Sequence, residues 1–304
     1  MIHTRDAAIL GLMLAIGAGT AVFNWQPVQA QSGGDKPVNT SAVDCNVQSN
    51  VPSPSLPGMN SEVRMECSGS QRSMTANSIP NHIVGNFPGP GNPNRISAQN
   101  SRFSMPLSAR VVRDKGMAVN VPGYARNGIM LEPQTEEVFG GVGMGREGWR
   151  YEAIQTVYNL GLDMNLAHVQ PTGNYHYHGL PACVSKEVDT STGPSHILGI
   201  AFDGFPIYGK RDINGKVVAV SKLDKCNGIT SATPEFPNGI YHYVLPGTAN
   251  ATSSIRCFHG KVDSSLITQM PNMGGGPPAG GAPPATARAA SVAARLLCDL
   301  TAAF

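Results

Sequence analysis

The chain has 304 residues, a formal net charge of +2, and only 14% charged residues. It carries no lysine and arginine cluster suited to a nucleic-acid backbone or an anionic membrane surface, so neither is expected as a partner. Glycine and proline, at 35 and 24 residues, favour turns and short strands over long amphipathic helices.

Residues 1–30 read as an export signal. Arg5 lies in a short polar start, residues 7–23 are almost wholly apolar, and Val28-Gln29-Ala30 puts small residues at the two positions a signal peptidase reads. The apolar run is at the lower limit for a membrane span, so cleavage after Ala30 is expected, with the mature chain exported to the periplasm or beyond the cell and no membrane partner. Residues 31–73 are rich in Ser, Asn and Pro and read as a loosely structured extension. From Ile79 the turn residues become dense, as in Phe87-Pro88-Gly89-Pro90-Gly91-Asn92-Pro93.

Short strands are expected at Ala109–Val112, Met117–Val121, Ile129–Leu131, Tyr175–His178, Ile197–Phe202, Val217–Val220 and Ile240–Val244. Each is rich in β-branched or aromatic residues and flanked by turn formers. Gly148 to about Leu160 reads as a helix, with Trp149, Ala153, Val157 and Leu160 near helical spacing and Gly161 placed to stop it. Gly140-Gly141-Val142-Gly143-Met144-Gly145 lacks the strand–helix setting of a nucleotide loop and reads as a flexible loop. Asp203-Gly204, between two apolar runs, signals a two-residue hairpin, and Pro206 places its second arm at a sheet edge. Residues 273–285 are linker-like, and the Ala-rich 285–304 reads as a poorly ordered tail. The whole pattern is mostly β: a sandwich- or barrel-like single domain with one or two short helices.

All six cysteines lie beyond the signal, and an even set in an exported chain reads as disulfides. Sequence leaves the pairing open, although Cys45–Cys67 would close a local loop in the extension. No C-x-x-C zinc spacing occurs.

The chemistry-bearing residues are histidines. In Asn174-Tyr175-His176-Tyr177-His178-Gly179, His176 and His178 share one face of a strand and the tyrosines take the other. His168 lies across the turn Pro171-Thr172-Gly173, which folds it back toward the pair. Three imidazoles hold Zn or Cu at about 2.0–2.1 Å and leave a fourth position open, so His176, His178 and His168 are the candidate ligands. His196, His82 and Asp203 are secondary candidates, for which packing or turn chemistry is the first explanation. Tyr241-His242-Tyr243 repeats Tyr175-His176-Tyr177, and His242 reads as an echo that serves packing. Cys183 as a thiolate would suit copper, but in an oxidising compartment a disulfide is its expected fate. No G-x-S-x-G, P-loop or H-E-x-x-H pattern is present.

The expected function is divalent-metal binding (Zn or Cu), with a metal-dependent hydrolase or oxidase as the reaction class and Glu152 and Asp203 as available carboxylates. The alternative is a non-catalytic extracellular or periplasmic binding or envelope module. In that case the histidines are structural, and Tyr175, Tyr177, Phe205 and Tyr208 rim a surface for a small molecule, a glycan or another partner.

Several unusual segments occur together in one order: Ile79-Pro80-Asn81-His82, Asn86 to Pro93, Asn127-Gly128-Ile129, Trp149 with Tyr151-Glu152-Ala153, Gly161 to Gly179, Asp203 to Gly209, Cys226-Asn227-Gly228, Tyr241-His242-Tyr243 and Cys257-Phe258-His259-Gly260. On these residues the chain resembles the YHYH-domain family of exported bacterial proteins, over roughly Met74 to Gly260. The resemblance implies an exported domain, names no reaction, and implies that Cys226 pairs with Cys257, leaving Cys183 and Cys298 over. The expected division is a signal at 1–30, an extension at 31–73 with a disulfide, a YHYH-like β domain at 74–268, and linker and tail at 269–304.

Overall fold

The structure is a computed structural model that describes residues 38–41, 43–112, 117–118, 121–132, 134–138, 150–152, 160–247, 255, 257–263, 266 and 298. The expected signal, the glycine loop at 140–145, most of the expected helix at 148–160 and all of the tail except Cys298 lie outside these residues.

In chain order the strands are β1 (Val38–Asn39), β2 (Val47–Pro52), β3 (Asn60–Ser68), β4 (Gln71–Ala76), β5 (Ser101–Pro106), β6 (Ser108–Ala109), β7 (Met117–Ala118), β8 (Gly123–Ala125) and β9 (Met130–Leu131). They continue as β10 (Gln134–Val138), β11 (Arg150–Glu152), β12 (Ala167–Val169) and β13 (Tyr175–Tyr177), then helix α1 (Ala182–Val188). The last are β14 (Ile197–Ala201), β15 (Pro206–Tyr208), β16 (Gly228–Ser231), β17 (Ile240–Val244) and β18 (Cys257–Phe258). The fold is mostly β, and its main element is a curled, half-barrel sheet of eight strands in the order β12-β13-β9-β8-β14-β15-β17-β16. A four-stranded sheet runs β2-β3-β4-β5 in sequence order, and β1-β6, β10-β11 and β18-β7 form small ladders.

The eight-stranded sheet is covered on both faces, so β13, β14, β15 and β17 are buried at every position. On one face Tyr175 and Tyr177 pack with Ile129, Leu131, Phe205 and Ile207. On the other, Met130, Ile200 and Phe202 pack on Val63, Met65, Met74 and Met105 of the four-stranded sheet. Phe103 of that sheet brings its ring centroid to 4.6 Å from Tyr124 and 5.2 Å from Phe202.

Residues 47–76 therefore differ from the expected loose extension. Strands β3 and β4 alternate buried and exposed residues, with Val63, Met65, Met74 and Ala76 inward and Glu62, Arg64 and Glu66 outward. This is the period-2 pattern of a strand with one covered face. The polar half of the alternation hides the apolar half in a composition-level reading.

Other expectations change too. Part of the expected helix at 148–160 is strand: Arg150–Glu152 pairs antiparallel with β10, and cross-strand hydrogen bonding overrides weak helical spacing. Val217–Val220 is no strand: Val217 makes only an isolated bridge to Arg211 and is 60% exposed, and Val220 opens a short 3-10 turn. Helix α1 leaves no periodic signal in the sequence, since its seven residues span too few turns. The Asp203-Gly204 hairpin forms, but as a three-residue loop: Gly204 N–H bonds Ala201 O, Ala201 N–H bonds Phe205 O, and Gly204 takes φ +87°. Its second arm is not at an edge. Strand β15 pairs β14 on one side and β17 on the other, which Pro206 permits because it is the first residue of its strand and the β17 pairing begins at Ile207.

Three disulfides close: Cys45–Cys67, Cys226–Cys257 and Cys183–Cys298. The last ties the tail to α1 and removes Cys183 as a thiolate ligand. No helix among the described residues is long and apolar enough to cross a membrane.

Candidate metal centre

The histidine pair occupies the outer end of the eight-stranded sheet. Strand β12 is its edge, and its antiparallel pairing with β13 sets His168 directly opposite His176. One residue past β13, His178 N–H extends the ladder to Leu166 O at 2.7 Å. Residues directly opposite on an antiparallel pair, and residues two apart on one strand, share a face. His168, His176 and His178 thus converge by backbone geometry, and their ring centroids form a near-equilateral triangle of 4.5–4.7 Å. One nitrogen of each lies within 4.8 Å of the other two. His176 and His178 are 1% and 2% exposed, and His168 is half-buried, so the centre reaches solvent chiefly at the edge strand.

Backbone carbonyls orient two of the rings. His168 Nδ1 lies 2.8 Å from Leu160 O and His176 Nδ1 lies 3.2 Å from Asn174 O. With those N–H groups donated, the Nε2 lone pairs are the ones presented to an ion. Across from His176 stands Glu132, a residue just after β9, with Oε2 3.5 Å from His176 Nε2. The Gln170 amide N–H donates to the same carboxylate oxygen. Gln170 Oε1 and Asn174 Oδ1, on the β12–β13 turn, are buried without a hydrogen-bond partner among the described residues. Burial first, and the neighbouring His168 second, hold the His176 imidazole well below its ordinary pKa.

The opposite face of β13 is a separate polar layer. Tyr175 OH donates to Asp163 Oδ2 at 2.7 Å, and Tyr177 OH meets His82 Nε2 at 2.5 Å and accepts from Asn127 Nδ2 at 2.9 Å. His82 therefore sits behind the strand, away from the triad. His196 is held elsewhere, with Nδ1 2.8 Å from Glu235 Oε1, and Asp203 accepts from Tyr243 OH at 2.5 Å and Gly260 N–H at 2.9 Å. None of these three secondary candidates joins the triad. A cleft of about 390 Å³ includes Asn81, Arg126, Asn127, Glu187, His196 and Glu235 in its lining, but none of the triad.

The expected aromatic rim is absent, because Tyr175, Tyr177, Phe205 and Tyr208 are all at most 2% exposed and serve the core. Side-chain positions at Glu152 lie outside the description. The carboxylate that does reach the triad, Glu132, was not among those expected. Its sequence signal is an acidic residue ending the apolar run Ile129-Met130-Leu131, where burial is otherwise the rule.

A family model described as YHYH protein matches residues 102–217 and 212–260, together just over half of the chain. No curated protein and no solved structure matches.

Proposed function

We propose that this chain, which belongs to the YHYH protein family, holds one divalent ion, zinc or copper, on His168, His176 and His178. The observation that carries this reading is the contact between His176 and Glu132. The buried ring lies between two oxygen acceptors, Asn174 O on Nδ1 and Glu132 Oε2 on Nε2. Either neutral tautomer sets one nitrogen lone pair against an oxygen lone pair. A second proton would also relieve this, on Glu132 as a neutral carboxyl or on the ring, where burial opposes a charged imidazolium. A cation shared with two further imidazoles relieves it without that proton.

The donor set supports the choice of ion, since imidazole with a nearby carboxylate suits zinc or copper(II). Tetrahedral coordination at about 2.0–2.1 Å needs nitrogens about 3.4 Å apart, so the triangle would tighten by small ring rotations. An ion held by three imidazoles supplies Lewis-acid activation of an oxygen ligand at its open position, the chemistry of a hydrolase or an oxidase. Glu132 would then be the nearby carboxylate that attracts the cation and accepts a proton. The three disulfides support export to an oxidising compartment.

A second reading has its own observation. The three rings meet at interplanar angles of 68–79°, the edge-to-face packing of aromatic groups, as in a non-catalytic module with structural histidines. Elemental analysis of untagged protein separates the two. About one equivalent of zinc or copper, lost in His176→Ala, supports the ion. Less than a tenth of an equivalent, with no fall in melting temperature on adding chelator, ends the proposal, since an ion bound only by the native state must raise that temperature.

A further inference from the structure

We infer that the eight-stranded sheet is a duplicated four-stranded unit, and that its second copy carries a disarmed version of the histidine site with Ile229, His242 and Val244 in the places of His168, His176 and His178. The part of this inference that concerns an ion rests on the reading just proposed; the duplication does not.

The strand order β12-β13-β9-β8 followed by β14-β15-β17-β16 is a palindrome, with β8 matching β14, β9 matching β15, β12 matching β16 and β13 matching β17. Within each half the pairings, taken from the outer edge inward, are antiparallel, parallel and antiparallel. The halves join through antiparallel β8 and β14, where Ala125 opposes Gly199 and Gly123 opposes Ala201. These are the same pair seen twice, as a twofold axis between Tyr124 and Ile200 requires. The two glycines share one constraint. A Cβ at Gly123 would come 2.1 Å from Ile200 O, and a Cβ at Gly199 2.3 Å from Tyr124 O.

The loops repeat at atomic detail. Asn127-Gly128 and Asp203-Gly204 make the same turn, with Ala125 N–H to Ile129 O at 2.8 Å and Ala201 N–H to Phe205 O at 2.9 Å, and their glycines at φ +80° and +87°. The turn side chains both meet a tyrosine hydroxyl, Asn127 with Tyr177 and Asp203 with Tyr243. Asp163 and Asp224 head matching loops. Each takes two backbone N–H groups on Oδ1, from Asn165 and Ala167 or from Cys226 and Gly228, and a tyrosine hydroxyl on Oδ2, from Tyr175 or Tyr241. Each loop has one non-glycine residue at positive φ, Leu166 at +53° and Asn227 at +63°.

Register then locates the second site. His168 opposes His176, and Ile229 opposes His242. His178 N–H bonds Leu166 O at 2.7 Å, and Val244 N–H bonds Asn227 O at 2.8 Å. His176 and His242 each place Nδ1 against the carbonyl two residues back, at 3.2 and 3.0 Å. Burial agrees, since His178 and Val244 are 2% and 1% exposed and His168 and Ile229 are both half-buried. Where Glu132 faces His176, the matching residue is Tyr208, whose ring packs on His242 at a centroid distance of 4.9 Å. Two imidazoles and a carboxylate are thus replaced by two aliphatic side chains and a phenol. One remaining imidazole does not hold an ion, so the native chain takes one equivalent.

The test installs the missing ligands. Ile229→His with Val244→His should raise bound zinc from one equivalent to two, and a chain that folds and stays at one overturns the second site. The reciprocal variant, His168→Ile with His178→Val, gives the first copy the side chains its counterpart already accommodates. It should fold with all three disulfides and bind no zinc, whereas failure to fold overturns the equivalence of the two halves even if the first variant is insoluble. If the parent chain binds neither zinc nor copper, the proposed function fails by itself, while folding of the reciprocal variant still decides the duplication.

Discussion

Glu132 Oε2 and His176 Nε2 meet at 3.5 Å with both groups nearly excluded from solvent. This geometry makes Glu132→Gln respond oppositely in the two states of the site. In ion-free protein the new amide N–H can donate to Nε2, so the melting temperature should rise. In the loaded protein the loss of the carboxylate should weaken zinc about 10–100-fold, the range found for groups that support metal ligands. Titration calorimetry and paired melts check both signs, and unchanged zinc affinity would remove Glu132 from the centre. Elsewhere, burial holds His82 and His242 down at pKa values of about 4, so each is neutral in the folded state and takes a proton more readily once unfolded. Their contribution is fully present above about pH 6.5 and is lost as pH falls toward 4, by roughly 3 kcal/mol each at most. Buried Asp163 and Asp203, raised to about 6, act in the other direction: they favour the folded state at low pH, and that advantage is lost as pH rises through 4 to 6. His82→Gln should therefore be less stable than the parent at pH 7 yet lose less on acidification to pH 4.5, read as the difference between two urea midpoints. An unchanged difference would mean His82 is not held neutral.

At the scale of elements, the four-stranded sheet is a packed layer, with Met65 and Met74 each 1% exposed against the main sheet. Met65→Ala should cost about 2–5 kcal/mol in urea unfolding, the range for large-to-small core changes. A loose extension would absorb the change within about 0.5 kcal/mol, as exposed positions do. Turns and apolar strands were the legible elements: the Asp203-Gly204 hairpin and strands β9, β13, β14 and β17 follow from residues adjacent in the chain. Elements whose stability comes from a distant partner were not legible. Strand β11 needs β10, β3 needs the apolar face of the main sheet, and Pro206 suits an interior strand only because the β17 pairing starts one residue later.

For the whole molecule, the Cys183–Cys298 bond joins residues 115 apart, so any single cut between them leaves the two pieces covalently linked. Limited proteolysis in the Gly/Pro-rich 273–285 stretch should give one band on a non-reducing gel and two after reduction; two bands without reductant would exclude the bond. Among the residues of the triad, local pattern is enough to put His176 and His178 on one face, because side chains of a strand alternate every residue. It also indicated a mostly β chain with disulfides, since composition and turn chemistry act locally. Folding in three dimensions was needed to set His168 opposite His176, bring Glu132 from another strand, send His82, His196 and Asp203 elsewhere, and lay Tyr241-His242-Tyr243 where a twofold axis would carry the first motif. Strand register and sheet order arise from burial and hydrogen bonding between segments far apart in the chain, and local pattern leaves that choice of partner open.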